Sequence, residues 1–108
     1  MSKVVVIGTG TMGVGIAAGF LASGANVVML GRTPEKALAC LDSIRSCADS
    51  INKDWSKAHP SLQSGSLETW QDWNDVDFVI ETVSEKLQLK QDIFALLDQR
   101  VPPHIPIG

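Results

Sequence analysis

Tyrosine is absent from the 108 residues, so no phenol can donate a proton or be activated as a nucleophile. Cysteine is scarce. Cys40 and Cys47 fall seven apart in one helical pattern, roughly 10 Å along the axis, too far for a disulfide. Both are expected as reduced, partly buried thiols. The only histidines, His59 and His104, have no metal-ligand spacing and no cysteine beside them, so no metal site is expected. Basic residues form no run. Nine Lys and Arg against twelve Asp and Glu leave a net charge of −3, so a nucleic-acid partner that needs several phosphate contacts is not expected. Long apolar runs are missing too. The stretch Ile16 to Leu30 is interrupted by Gly19, Ser23, Gly24 and Asn26, so no membrane helix is expected. Only four apolar residues separate Lys3 from Gly8, which does not make a signal peptide, and a cytoplasmic location is expected. Trp55, Trp70 and Trp73 share no regular spacing and are read as core or edge packing rather than a platform for bases.

What the sequence does contain is enough for one compact core: 44% hydrophobic and 19% charged residues. Lys3 to Ile7 is a β-branched run apolar on both sides, as in a central parallel strand. Met12, Ile16, Phe20 and Leu21 predict a helix to Ser23, with Gly24 as its left-handed cap. Asn26 to Leu30 predicts a second buried strand. Thr33-Pro34-Glu35 combines a hydroxyl cap, proline in the first turn and an acid, and predicts a helix running on Ala37, Leu38, Leu41, Ile44, Ala48 and Ile51. Lys53 to Ser66 reads as an exposed connection, and Leu67 to Trp70 as a short edge strand. Val76 to Val83 reads as a longer strand, Leu87 to Leu97 as a third helix stopped by Pro102 and Pro103, and Ile105 to Ile107 as the start of another strand. The order β-α-β-α-β-β-α-β predicts an α/β fold: a doubly wound, three-layer, Rossmann-like parallel sheet, truncated at its last strand.

Gly8-Thr9-Gly10-Thr11-Met12-Gly13 matches G-x-G-x-x-G and lies between a predicted strand and a predicted helix. Gly8 would permit the tight turn, Gly10 the approach of a pyrophosphate, and Gly13 close helix–strand packing. The amides around Thr11 and Met12 would point at phosphates from the positive end of the helix. The Gly-Lys-Ser/Thr ending of a P-loop is absent. Where NAD-binding units end the second strand in an acid, this chain has Gly31, 18 residues after Gly13. Gly31-Arg32-Thr33 offers space, a guanidinium and a hydroxyl, the features that accept a 2′-phosphate and favour NADP. Glu81, Glu85 and Lys90 cluster where the fourth strand meets its helix, at the carboxyl edge where ligands bind. Glu85 and Lys90 are expected to face cofactor or substrate.

Three segments resemble the amino-terminal NAD-binding domain of 3-hydroxyacyl-CoA dehydrogenases. They are Val4 to Ala17, with its Thr-Met-Gly-x-Gly-Ile-Ala continuation, Asp77-Phe-Val-Ile-Glu-Thr-Val-Ser-Glu85, and Leu87 to Asp98. The resemblance implies an oxidoreductase of fatty acid metabolism that interconverts 3-hydroxyacyl-CoA and 3-ketoacyl-CoA by hydride transfer with NAD, and a homodimeric full-length enzyme. It places Glu85 near the nicotinamide ribose and Lys90 near the cofactor or CoA. The family's acid after the second strand is Gly31 here, and its lysine-rich stretch has no clear counterpart in Cys47 to Pro60. Residues 1–108 are therefore expected to be the dinucleotide-binding part of a longer dehydrogenase. The catalytic histidine and the helical domain are absent from this chain, which alone would bind cofactor without turnover. Two alternatives are a stand-alone dinucleotide-binding module and an NADP-linked dehydrogenase of another 3-hydroxy acid.

Overall fold

The computed structural model describes residues 2–73, 75–82 and 99–108. The valine run at the amino terminus has apolar side chains facing both ways, and such a strand is stable only with both faces covered. It forms β1 (Lys3–Ile7), in which Val4, Val5 and Val6 have no exposed surface. The glycine segment leads into α1 (Thr11–Ala22), which ends near Gly24, at φ 95°. Then follows β2 (Asn26–Gly31), paired in parallel with β1 so that Lys3 faces Asn26 and Ile7 faces Leu30.

The helix after Thr33 is not continuous. It divides into α2 (Pro34–Ala39) and α3 (Leu41–Ile51) at Cys40, which takes φ −93° and ψ −3°. The Cys40 amide and thiol both donate to Ala37 O, a tight turn that redirects the chain without glycine or proline. The break leaves α2 beside β2 and β3 while α3 packs along α1. Cys40 is buried as expected, but Cys47 is exposed.

The third strand lies earlier than the hydrophobic pattern suggests. β3 is Leu62–Ser66, reached through a 3₁₀ turn over Trp55–Ala58, and it pairs in parallel with β2. Leu67 to Trp70 is a turn instead: the Thr69 and Trp70 amides donate to Ser66 O, and the Trp70 ring lies over Gly65. Its apolar residues pack on the sheet from a loop, which gives the same burial without a ladder. β4 (Phe78–Glu81) pairs in parallel with β1 and is shorter than the expected Val76 to Val83.

The strand order is β3-β2-β1-β4, that of a Rossmann-like sheet. Ile107 forms a parallel bridge to Val79, the beginning of a further strand beside β4. On one face, Val4, Val6, Val27 and Met29 pack against α1, α2 and α3 through Ala17, Leu21, Ala37 and Ile44. On the other, Val5, Ile7, Val28 and Leu30 are covered by Leu67, Trp73, Val76, Val101 and Ile105. The helix expected over Leu87 to Leu97 lies outside the described residues. No described helix is long and apolar enough to cross a membrane.

Candidate functional site

All pairings between the named strands are parallel, so the carboxyl ends of β1, β2 and β4 share one edge, and the glycine loop with Arg32 and Thr33 lies there. β1 stops at Ile7, and Gly8 turns the chain at φ 119°, a conformation that side chains with a Cβ rarely adopt. The Gly8 amide donates to Leu30 O at 3.0 Å, which ties the turn to β2. Gly13 sits in the first turn of α1 directly on Gly8: a Cβ there would overlap the Gly8 carbonyl oxygen. Helix and strand thus approach as closely as the third glycine of the motif allows.

Gly10 is the N-cap of α1 and supplies no side-chain acceptor, and the first turn contains no acid. The first intrahelical bond reaches only Val14, whose amide donates to Gly10 O at 3.0 Å. The amides of Thr11, Met12 and Gly13 precede it and are free of intrahelical partners, as in any helix start. Among the described residues no heavy atom stands within 4 Å of where a Cβ on Gly10 would be, and Thr11 and Met12 are exposed. Open space in front of uncapped amides at a helix N-terminus fits a pyrophosphate. Met12 is 69% exposed, so it borders this mouth rather than packing under α1 as its helical spacing suggested.

The second turn follows β2. Gly31 is buried, and a Cβ on it would stand 2.9 Å from Thr9 Cγ2 and 3.4 Å from the Ala37 amide nitrogen. Thr9 therefore fills the room that a residue-31 side chain would need. Arg32 is exposed and forms no ion pair or hydrogen bond among the described residues. Thr33 Oγ1 accepts from the Lys36 amide at 3.2 Å, capping α2, and its own hydroxyl hydrogen remains available to a ligand.

At the end of β4, Glu81 pairs with Ile7, and the Thr82 hydroxyl donates to Ile7 O at 2.8 Å. Thr82 did not stand out in the sequence reading. The signal was there, a hydroxyl residue directly after a strand at the point where the sheet order reverses. Glu85 and Lys90 lie outside the described residues. His59 precedes β3, at the opposite edge of the sheet, and His104 follows two prolines and is exposed. Neither is at the glycine loop. No cluster of three His, Cys, Asp or Glu able to hold a metal occurs among the described residues.

Residues 3–107 match the family described as "3-hydroxyacyl-CoA dehydrogenase, NAD binding domain". The chain is 41% identical over 109 residues to the peroxisomal fatty acid beta-oxidation multifunctional protein of Oryza sativa subsp. japonica, covering 94% of this chain and 15% of that protein. It is 36% identical over 104 residues to 3-hydroxybutyryl-CoA dehydrogenase of Clostridioides difficile, covering 90% of this chain and 36% of the relative. The crystal structure of (S)-3-hydroxybutyryl-CoA dehydrogenase from Ralstonia eutropha superposes with a TM-score of 0.81 at 27% identity, over 99% of this chain and 40% of that one. The chain thus spans well under half the length of these proteins.

Proposed function

From the premise that the chain belongs to the family of 3-hydroxyacyl-CoA dehydrogenase NAD-binding domains, we propose that it holds the dinucleotide for such a dehydrogenase and prefers NADP. The observation that supports a dinucleotide is the paired geometry of Gly8 and Gly13, with open space over Gly10 in front of uncapped amides. Gly8, Gly10, Thr11, Met12 and Gly13 hold the pyrophosphate through backbone groups. Arg32 and Thr33 receive the 2′-phosphate, a guanidinium with no competing partner among the described residues beside a hydroxyl that can donate. Gly31 withholds the acid that would repel that phosphate, with Thr9 against it. Glu85 and Lys90, by family position, complete the nicotinamide side.

The bound nicotinamide supplies the hydride chemistry that interconverts a 3-hydroxyacyl-CoA and its 3-ketoacyl-CoA. The described residues contribute binding and orientation. Neither described histidine lies at this edge, so the proton-transfer group of the reaction comes from outside the described residues. A cytoplasmic location belongs to the same reading.

Titration calorimetry of the chain with NADH and NADPH, each separately at low ionic strength, tests both parts. Tighter binding of NADPH is the expected result. Tighter binding of NADH would leave the dinucleotide site standing and make Arg32 a solvated residue. Binding of neither by the folded chain would overturn the reading as a whole.

A further inference from the structure

The Ile7–Gly8 peptide is a planar unit whose two polar groups point to opposite sides. On one side the Gly8 amide donates to Leu30 O of β2 at 3.0 Å. On the other, Ile7 O accepts twice from the same residue, from the Thr82 amide at 2.9 Å and from Thr82 Oγ1 at 2.8 Å. A carbonyl oxygen has two lone pairs, and both are taken. The peptide is held between β2 and β4 and cannot turn about its flanking bonds without losing hydrogen bonds. Its orientation sets the departure of the glycine loop, because Gly8 follows at φ 119°.

The same hydroxyl reaches the far end of the loop. Thr82 Oγ1 stands 2.9 Å from where a Cβ on Gly13 would lie, so it faces the first turn of α1. One side chain, at the crevice between β1 and β4, thus bonds the carbonyl that precedes the first glycine of the motif and faces the last glycine. Amides aimed at a pyrophosphate bind it well only if they are already in place before the ligand arrives.

We infer that Thr82 is a positioning residue for the dinucleotide, its hydroxyl holding the Ile7–Gly8 peptide in the orientation from which the glycine loop presents its amides. This deepens the dinucleotide-binding reading above and rests on it. The backbone bond from the Thr82 amide survives any substitution of its side chain, so strand pairing persists while the second tie is lost.

The test compares dissociation constants for NADH and NADPH in Thr82→Ala, Thr82→Val and Thr82→Ser, measured well below each variant's unfolding midpoint. Alanine removes the side chain beyond Cβ. Valine keeps the branched shape without the donor, and serine keeps the donor without the methyl. Loss of one such bond is expected to weaken the better-bound dinucleotide about 2–10-fold in Thr82→Ala and Thr82→Val, with Thr82→Ser within about 2-fold of the parent. Parent-like affinity in the alanine and valine variants, even with a lower unfolding midpoint, would overturn the inference and leave Thr82 a structural strut. Serine as weak as alanine would overturn it too. If the parent chain binds neither dinucleotide, the parent reading fails and the inference falls with it.

Discussion

Two strand-to-helix turns stand side by side on the carboxyl edge, and they keep their shapes by different means. The turn from β1 to α1 is built of backbone: Gly8 supplies a positive φ, Gly13 supplies the absence of a Cβ, and the peptide between Ile7 and Gly8 is bonded on both sides. The turn from β2 to α2 is held by side chains, with the Thr33 hydroxyl on the Lys36 amide and proline in the first turn of the helix. A backbone cradle suits phosphate oxygens in general and distinguishes little among dinucleotides. Side chains carry charge and can choose between a ribose hydroxyl and a ribose phosphate. In the proposed reading the first turn sets the ligand class and the second selects its member.

The comparison breaks most visibly at Gly13. Gly13→Ala forces a Cβ into the Gly8 carbonyl and is expected to cost about 3 kcal/mol or more of stability by urea unfolding, together with dinucleotide binding. Arg32→Ala probes the other turn: NADPH should weaken by about 1–3 kcal/mol in calorimetry and NADH should hardly change. Equal losses for both dinucleotides would remove Arg32 from the site. Thr33→Ala gives up the α2 cap and should lower stability by about 1 kcal/mol, with Thr33→Ser close to the parent in urea. Gly10→Ala sharpens the contrast from within the first turn. With φ −76° and empty space around the new methyl, it should cost about 1 kcal/mol of stability or less, yet weaken both dinucleotides alike.

The smallest effect concerns the bend that follows the second turn. Burial raises the Cys40 thiol above its ordinary pKa, partly countered by the backbone amide of Cys40 itself. The unfolded chain therefore ionises this thiol first as the solution becomes alkaline. Its contribution is complete below the ordinary thiol pKa and is lost as pH rises through the folded-state value. Melting temperature followed from neutral to alkaline pH should fall less steeply in Cys40→Ala than in the parent.

Where local chemistry decided the structure, the sequence was legible. The helix expected from Met12 to Ser23 is α1 over Thr11–Ala22, and Thr33 caps α2 as its hydroxyl and the following proline foretold. The glycine spacing also fell in the expected context. Where tertiary contacts decided, it was not. Lys36-Ala-Leu-Ala-Cys-Leu-Asp contains no helix breaker, and the bend at Cys40 comes from packing α2 on the sheet and α3 on α1. β3 is Leu-Gln-Ser-Gly-Ser, poor in β-formers, and gains its order from pairing with β2, whereas Leu67 to Trp70 has the apolar residues and not the ladder. Thr82 escaped notice because its role depends on a carbonyl 75 positions away in the chain.

β3 carries one more consequence. It is the outermost strand on its side of the described sheet, and an outermost strand offers its free backbone groups to any other chain in solution. Here that row is five residues long, with Gln63 exposed and the Trp70 indole lying across Gly65. A neighbouring molecule finds little apolar surface on which to extend the sheet. The polarity that concealed this strand in the sequence guards the folded protein against aggregation along that side.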